Sequence, residues 1–465
     1  MRDRLVLGLI LMAGLVPATP AAWAEEKPAY PPPRPLMDES GLGLHVQRTM
    51  TLLATSTPKH HNKVRILFYG QSITEQDWSK QVADDLRKRF PDADLEIENR
   101  AIGGFASQLL IRPAEHDLYP FYPDLLIFHV YGSNKEYEEI IRNVRTRTTT
   151  EVLMQKDHVT RLPPDVIDEK KDKGMWWDDL MNNHLLPDIA KKYGCGLVDV
   201  RGQWLDYLKT NKLEPKELLK DGVHLNDYGN FLMARLVERY LKYRPELPDD
   251  EWKGLVRTYE VGKDVSWKGG RLTLPFEGNR VDVLAAKADG KATSAKVLID
   301  GKRPSEFPGV FRITRPAPGP WSPLTVARID HDAPLALEEW TLKITAVKDD
   351  GKAWDFEVSG SATGPDGGGT SREGFASKSG RVKIEPGAWF HPDGAKVPVG
   401  YEIKWKVLPM FADSYAPPKA VDETRDDATT LAQGIPNEKH TLEIVVDGEG
   451  AAPIRALRVY RPPMK

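Results

Sequence analysis

The stretch VRILFYGQSIT (residues 64–74) decides how the first half of the chain folds. Its first six residues are apolar except Arg65, a pattern typical of a strand buried on both faces of a parallel sheet. Apolar residues then recur every four positions between residues 75 and 90, which predicts an amphipathic helix packed on that sheet. The turn between strand and helix would hold the Ser72 hydroxyl above the carboxyl edge of the sheet, where ligands of open α/β sheets bind.

This pattern predicts that Ser72 lies at the N-terminus of the helix, where backbone N–H groups stabilise negative charge. The alternative is that Ser72 is only an N-cap residue, because serine is favoured at that position whatever the protein does. The stretch alone does not decide between these two interpretations.

Strand and helix patterns alternate from residue 64 to about residue 244. The later strand candidates are LEIEN (95–99), LLIFHV (125–130), EVLM (151–154) and GLVDV (196–200). Helical patterns lie between them, including residues 135–144 and 175–193, and Pro187 is expected to kink the second of these. Short strands with interposed helices predict an α/β domain with a parallel, doubly wound sheet.

Helical periodicity nearly disappears beyond Pro245, and short β-rich runs alternate with glycine-containing turns. The turn signals include residues 269–270, 289–290, 300–301, 350–351, 365–369, 393–394 and 447–448. This pattern predicts an all-β sandwich region. Two similar stretches, WTLKI (340–344) and HTLEI (440–444), predict that it contains two consecutive units, residues 255–355 and 356–465.

The first 24 residues have the order of segments found in a secretory signal peptide. A charged start is followed by an apolar run over residues 5–16 and by small residues before Glu25, and the run is too short to span a membrane. We expect cleavage near Ala24 and export to the periplasm or the extracellular space. Residues 25–63 are proline-rich at their start and are predicted to form a lead-in arm with a short helix at 42–54.

The composition argues against several classes of protein. The 65 Lys and Arg residues nearly balance 68 Asp and Glu residues, so no overall field favours nucleic acid or an anionic membrane surface. We expect no membrane insertion, no nucleic acid and no obligatory protein partner. Cys195 is the only cysteine, which excludes an internal disulfide and favours core packing. The sequence has no metal-binding motif, and we predict neither a metal nor a cofactor.

Chemistry is suggested by the segment DGVHLN (221–226), which precedes a helical pattern over residues 227–244. An aspartate three residues before a histidine can place its carboxylate on Nδ1 of the imidazole, so that Nε2 is free to act as a base. Asp221 and His224 would then form the orienting pair of a serine triad. The alternative, that both residues merely cap the following helix, is equally compatible with the segment alone.

Two further segments follow predicted strands. NRAIGG (99–104) ends in glycines whose backbone N–H groups could point into the same site, and YGSN (131–134) ends in an asparagine that could donate a hydrogen bond there. Glycines after strands are also ordinary turn residues, so neither segment is specific alone.

The four segments in this order resemble the SGNH (GDSL-type) hydrolase family over residues 64–244, and we expect the catalytic domain to span residues 64–248. The resemblance implies a flavodoxin-like three-layer α/β/α domain and a serine esterase. It implies that Ser72 is the nucleophile, His224 the base and Asp221 its orienting residue. By the same resemblance, the backbone N–H groups of Ser72 and Gly104 and the side chain of Asn134 form the oxyanion hole.

Two positions depart from the family pattern, because Gln71 and Lys135 stand where the family usually has aspartate. Neither position carries the proton transfer, and both favour a hydrophilic ester as substrate. We expect Gln71, Lys135 and Trp176 to contact the substrate, Trp176 by stacking on a sugar ring. The segment KDH (156–158) could line the same cleft.

The resulting hypothesis is an exported esterase that removes small acyl groups, chiefly O-acetyl, from poly- or oligosaccharides. The β region also resembles galactose-binding-type jelly-roll modules, through FEGNRV (276–281) and VLIDGK (297–302). One alternative is a non-catalytic glycan-binding or scaffold protein with a degenerate hydrolase domain. The other is a lipase or phospholipase of the same family.

Overall fold

The computed structural model describes residues 30–247, 254–287 and 293–465. The predicted signal peptide, Pro248 and the turn at 289–290 lie outside the described residues. Residues 33–465 form one compact unit.

The first sheet has five parallel strands in the spatial order β2-β1-β3-β4-β5. The strands are β1 Lys63–Gly70, β2 Asp94–Asn99, β3 Leu125–His129, β4 Glu151–Gln155 and β5 Gly196–Val198. This is the flavodoxin-like strand order, which confirms the predicted fold class. The fifth strand ends earlier than expected, because Asp199 caps the next helix by accepting a hydrogen bond from the Gly202 N–H.

Eight α-helices lie between residues 30 and 247, the described part of this half of the chain. They are α1 Gln47–Ala54, α2 Asp77–Arg89, α3 Ser107–Asp117, α4 Asn134–Arg147, α5 Lys173–Leu180, α6 Leu186–Tyr193, α7 Val200–Asn211 and α8 Asp227–Glu238. A π-helical turn, Met181–Leu185, separates α5 from α6, so the helix predicted at 175–193 is interrupted just before Pro187. Proline lacks the N–H needed to continue a regular helical ladder, which explains the position of the interruption.

Alternate residues of β1 enter two separate cores. Ile66 and Phe68 pack with α1, α2, α7 and α8, whereas Leu67 and Tyr69 pack with α3, α4 and α6. Side chains of successive strand residues point to opposite faces, so the sheet is covered by helices on both sides. Cys195 is buried in the second core, as predicted, and burial raises the pKa of its thiol to about 12.

The predicted lead-in arm is wrong for the described residues after position 32, because α1 is part of the α/β core. Met50 and Leu53 are buried there. The Glu151 carboxylate accepts hydrogen bonds from the backbone N–H groups of Arg48 and Thr49, both at 2.8 Å. These N–H groups in the first turn of α1 have no partner within the helix, so Glu151 fixes the helix on the edge of β4.

The described residues of the second half form four antiparallel sheets, of which two are large, with seven and five strands, and two consist of only two short strands each. The strands are β6 Val256–Glu260, β7 Trp267–Lys268, β8 Arg271–Ala285, β9 Ala295–Ile299, β10 Phe311–Ile313, β11 Thr325–Val326, β12 Glu339–Lys348, β13 Ala353–Gly360, β14 Gly364–Thr370, β15 Phe375–Ala376, β16 Lys383–Ile384, β17 Trp389–Phe390, β18 Glu402–Pro409, β19 Ser414–Tyr415, β20 Ala428–Val446 and β21 Ile454–Tyr460. The larger sheet has the order β19-β9-β20-β8-β21-β6, with β7 paired to β8. The smaller sheet has the order β10-β18-β12-β13-β14.

The predicted division of this region into residues 255–355 and 356–465 is wrong. The boundary falls inside β13, and the smaller sheet is built entirely from residues between the two halves of the larger one. Pairing of β8 with β20 brings Leu274 opposite Leu442, across the whole insertion. Local sequence patterns show strands but do not show which distant strand each one pairs with, so a consecutive division was the simpler prediction.

The segment that follows β10 docks against α3 of the α/β domain. The Ile329 N–H donates to Nε2 of His116 at 3.1 Å, and Nε of Arg315 donates to the Asp117 carboxylate at 2.8 Å. Ala327 is buried in the second core of the α/β domain. Residues 315–329 are therefore held against the α/β domain.

Candidate active site

Ser72 lies in a turn between β1 and α2. The backbone N–H groups of Thr74 and Glu75 donate to the Gln71 carbonyl, at 2.8 and 3.3 Å. Helix α2 begins only at Asp77, because Gln76 has an extended conformation with ψ of 168°. The prediction that Ser72 stands at the N-terminus of the helix is therefore wrong by about one turn. The serine belongs to a separate turn at the carboxyl edge of the sheet.

Gly70 makes this sharp exit from β1 sterically allowed. A Cβ at this position would collide with the backbone carbonyl oxygen of His129 and with the Thr74 hydroxyl. The same Thr74 hydroxyl donates to the His129 carbonyl at 3.1 Å. The serine turn is thus locked onto the end of the neighbouring strand β3.

The structure brings Ser72, His224 and Asp221 together. Nε2 of His224 lies 3.0 Å from the Ser72 hydroxyl oxygen, and Nδ1 lies 2.9 Å from Oδ2 of Asp221. With Nδ1–H donating to the carboxylate, Nε2 is left as the acceptor for the serine hydroxyl. These distances match those that a serine triad requires between its nucleophile, its base and its orienting residue.

The Asp221 carboxylate is fixed by its own loop. Oδ1 accepts hydrogen bonds from the backbone N–H groups of His224, at 2.7 Å, and Val223, at 2.8 Å. These two bonds, together with the bond from the His224 ring, lower the pKa of Asp221 to about 2. Asp221 is consequently ionised at any pH near neutrality, so it can hold the imidazole in one orientation.

Gln76 joins the loop of Asp221 and His224 to the serine turn. Its side-chain oxygen accepts from the Leu225 N–H at 3.1 Å, and its side-chain nitrogen donates to the Leu225 carbonyl at 3.3 Å. Asn226 then caps α8 by accepting from the Gly229 N–H at 3.0 Å. Gln76 could not be predicted from the sequence, because only its position four residues after Ser72 distinguishes it from other glutamines at helix starts.

The two other predicted segments lie at the same edge of the sheet. Gly104 is in the loop after β2 and has a φ of +74°, and Asn134 is the first residue of α4, after β3. Since β2, β1 and β3 are adjacent, Gly104, Ser72 and Asn134 follow the carboxyl ends of three neighbouring parallel strands. Asn99 ties two of these loops together, because its side-chain amide donates to the Thr74 carbonyl at 2.6 Å.

A second, buried group of polar side chains underlies the site. Nε2 of His129 lies 3.0 Å from Oδ1 of Asp157, and the Asn182 amide donates to Oδ2 of Asp157 at 2.9 Å. His158 is 5% exposed, and its Nε2–H donates to the carbonyl of Val223 at 2.8 Å. The expectation that residues 156–158 line the cleft is wrong for His158, which supports the loop of Asp221 and His224 from below.

The pKa values of this buried group follow from its environment. Burial, and after it the neighbouring His129, lower the pKa of His158 to about 4. Burial would raise the pKa of Asp157, but its hydrogen bond and charge interaction with His129 leave that pKa below its ordinary value. His158 is therefore neutral at pH 7, with the proton on the nitrogen that faces Val223.

The residues expected to contact the substrate have varied surroundings. Gln71 is half-buried in the serine turn, and Lys135 is exposed at the start of α4, beside Asn134. Trp176 is half-buried in α5, where its ring lies 6.5 Å from that of Trp177. Their contact with a substrate stays a prediction.

Among the residues that the structure describes, no group of three or more His, Cys, Asp or Glu side chains is arranged to hold a metal ion. Within the same ranges, no helix has both the length and the apolar character required to cross a bilayer.

No family model and no curated protein matches this sequence. Among solved structures, a two-domain esterase (CEX) active on acetylated mannans aligns over 91% of this chain and 97% of its own, at 16% identity and a TM-score of 0.35. The acetylxylan esterase Axe2 from Geobacillus stearothermophilus aligns over 40% of this chain and 98% of its own, at 18% identity and a TM-score of 0.34. A protein from Parabacteroides merdae described as a GDSL-like lipase aligns over 39% and 98%, at 20% identity and a TM-score of 0.34.

Proposed function

We propose that this protein is an exported serine esterase that removes small acyl groups, chiefly O-acetyl, from carbohydrate. The observation that carries the proposal is the 3.0 Å contact between the Ser72 hydroxyl and Nε2 of His224, with Asp221 on the opposite ring nitrogen. This arrangement joins residues 152 positions apart in the sequence. Helix capping alone would require neither the Ser72 contact nor the orientation of the imidazole.

The proposed reaction has two steps. Ser72 Oγ attacks the ester carbonyl carbon while its proton passes to Nε2 of His224, and collapse of the tetrahedral intermediate breaks the bond to the sugar oxygen. His224 returns the proton to that oxygen, which leaves an acyl group on Ser72. Water, deprotonated by His224, then attacks the acyl carbon and releases the carboxylic acid and free Ser72.

Negative charge on the carbonyl oxygen requires hydrogen-bond donors that are already in place. The backbone N–H groups of Ser72 and Gly104 and the side-chain amide of Asn134 are proposed to supply them. Their positions after three adjacent strands support this assignment, because the three loops converge on one edge of the sheet. Hydrogen bonds between these loops, including that from Asn99 to Thr74, would limit their reorganisation during the reaction.

The surroundings of the triad favour a hydrophilic substrate. The side chains of His224 and Asp221 are 35% and 49% exposed, so the triad opens onto the protein surface. Lys135 is exposed next to Asn134, and Gln71 precedes the nucleophile. An open site with polar neighbours suits an ester on a sugar polymer better than a long acyl chain.

The test is acetate release from a panel of acetylated polysaccharides, alongside hydrolysis of p-nitrophenyl acetate and p-nitrophenyl palmitate. We expect acetate release and a strong preference for the acetyl ester. Ser72→Ala should lower kcat by about 10⁶-fold, because it removes the nucleophile. Its circular dichroism spectrum and melting temperature should match those of the unchanged protein.

A folded Ser72→Ala protein with near-normal turnover would show that Ser72 is not the nucleophile. A preference for the palmitoyl ester would favour a lipase. Absence of turnover on every ester, in a protein that still binds the polysaccharides, would favour a glycan-binding protein with a degenerate site.

A further inference from the structure

A tryptophan from the β region lies over the glycine that is proposed to donate to the oxyanion. A Cβ built on Gly104 would lie 3.2 Å from Cη2 and 3.3 Å from Cζ2 of Trp321. The six-membered ring of the indole therefore occupies the space that a side chain at position 104 would fill. Trp321 is in the turn between β10 and β11, more than 200 residues after Gly104 in the sequence.

Trp321 is unusually exposed for a large aromatic residue. Its exposed fraction is 64%, whereas Trp78, Trp204 and Trp340 are each at most 1% exposed. Among the tryptophans that the structure describes, it is the only one in the set of exposed large apolar residues. Solvent exposure of this much apolar surface is unfavourable, and tryptophans of this kind are characteristic of binding surfaces.

The indole is held in place from below. Its ring packs edge-on against Phe390, with centroids 6.1 Å apart and an interplanar angle of 89°. Phe390 in turn packs against Phe105, with centroids 4.7 Å apart, and Phe105 is buried in the core of the α/β domain. The aromatic row Phe105, Phe390 and Trp321 thus runs from the core to the protein surface beside Gly104.

The backbone on both sides of Trp321 is also anchored. Arg315 forms an ion pair with Asp117 and donates to the Arg100 carbonyl at 3.1 Å, in the segment that leads to Gly104. Leu324, three residues after Trp321, is completely buried. The exposed ring is therefore presented on a fixed base, which lowers the entropic cost of binding a ligand.

We propose that Trp321 is a substrate-binding residue that the β region contributes to the active site, where its indole stacks on the sugar ring that carries the ester or on an adjacent ring. The proposal rests on the proposed esterase function. A pyranose ring has a face of C–H groups that packs on an aromatic surface, while its hydroxyl groups stay in water. Trp321 would determine specificity, because an acetyl ester without such a ring has nothing to place on the indole.

The first experiment compares two acetyl esters with the full-length protein. One is chemically acetylated xylopentaose, mannopentaose or cellopentaose, and the other is ethyl acetate, which has no ring. For Trp321→Ala, we expect the ratio of kcat/KM on the best oligosaccharide to kcat/KM on ethyl acetate to fall by about tenfold or more, the size expected for one lost aromatic contact. The loss should be mainly in KM, because the indole contacts the sugar in the ground state as well as in the transition state.

Two control variants refine this comparison. Trp321→Phe keeps an aromatic face and should lose less of the ratio than Trp321→Ala. Val399→Ala removes apolar surface from a residue of the β region that is equally exposed, at 65%, and should leave the ratio unchanged. If Trp321→Ala lowers both activities equally, the indole only supports the Gly104 loop and the stacking proposal is wrong. An unchanged ratio with unchanged activities overturns it as well.

The second experiment does not depend on turnover. Binding of the same oligosaccharides to Ser72→Ala and to Ser72→Ala/Trp321→Ala is measured by isothermal titration calorimetry. We expect the double variant to bind at least about tenfold more weakly. Equal affinities, or no binding to Ser72→Ala, would overturn the role of Trp321. If only the esterase hypothesis were wrong, the unchanged protein would hydrolyse neither ester, but the difference in oligosaccharide binding would remain.

Discussion

The carboxyl edge of the parallel sheet carries two pairs of aspartate and histidine that have nearly the same nitrogen to oxygen distance and different surroundings. The nitrogen to oxygen distance is 2.9 Å for His224 and Asp221 and 3.0 Å for His129 and Asp157. The side chains of the first pair are 35% and 49% exposed, and those of the second are 2% and 15% exposed. A short contact between the two residue types is therefore not enough to identify a catalytic base.

The ring nitrogen that faces the carboxylate distinguishes the two pairs. His224 uses Nδ1, so that Nε2 faces the Ser72 hydroxyl, whereas His129 uses Nε2 on Asp157 itself. The buried pair has a structural connection to the exposed one. His158, the residue after Asp157, donates to the Val223 carbonyl in the loop that carries Asp221 and His224. In the proposed function, the exposed pair performs the chemistry and the buried group holds its loop in position.

The largest difference between the pairs should appear on removal of one carboxylate charge from the exposed pair. Asp221→Asn should lower kcat/KM on p-nitrophenyl acetate by about 10⁴-fold, because the amide no longer favours the tautomer with a proton on Nδ1. The melting temperature should change little, since Asp221 is exposed. Steady-state kinetics and thermal unfolding of the same preparation provide the test. A loss of less than tenfold would contradict the role of Asp221.

The matching substitution in the buried pair should reduce stability and leave turnover largely unchanged. Asp157→Asn disturbs contacts with His129 and Asn182 in the interior, and we expect it to reduce the free energy of unfolding by about 2–4 kcal/mol. The folded fraction should keep kcat within about tenfold of normal. Urea unfolding followed by tryptophan fluorescence measures the first effect, and active-site titration corrects the second. If Asp157→Asn instead lowered activity as strongly as Asp221→Asn and left stability unchanged, the assignment of different roles to the two pairs would be wrong.

A smaller effect concerns pH and depends on His158. Because its folded-state pKa is about 4 and the ordinary value for histidine is about 6.5, the unfolded chain binds the extra proton first. Stability from this residue is therefore complete above about pH 6.5 and is lost as the pH falls toward about 4. His158→Gln can still donate to the Val223 carbonyl but does not titrate.

Urea unfolding of the unchanged protein and of His158→Gln, at intervals from pH 7 to pH 4, tests this prediction. As the pH falls, the unchanged protein should lose more unfolding free energy than His158→Gln. His116, which is buried and whose pKa is lowered to about 3, contributes to both proteins and cancels in the difference. A difference that does not vary with pH would show that His158 does not carry this dependence.

The sequence was most informative where the interacting residues are close together in the chain. Asp221 and His224 are three residues apart, so the spacing alone predicted their contact. The buried strands β1, β3 and β4 were predicted because a buried strand is a largely apolar run that needs no knowledge of its neighbours. The edge strand β2 was predicted from its alternation of apolar and acidic residues. The resemblance to a known family then supplied Ser72 as the residue for His224 to face.

The sequence by itself therefore determined the elements, the α/β class of the first half and the candidate triad. The tertiary structure alone decided the nesting of the two large β sheets, the support of the loop of Asp221 and His224 by His158 and the position of Trp321 over Gly104. The physical reason is the range of the interactions. Periodicity and turn chemistry act between near neighbours in the chain, whereas strand pairing and packing of exposed rings join residues that only the complete fold brings together.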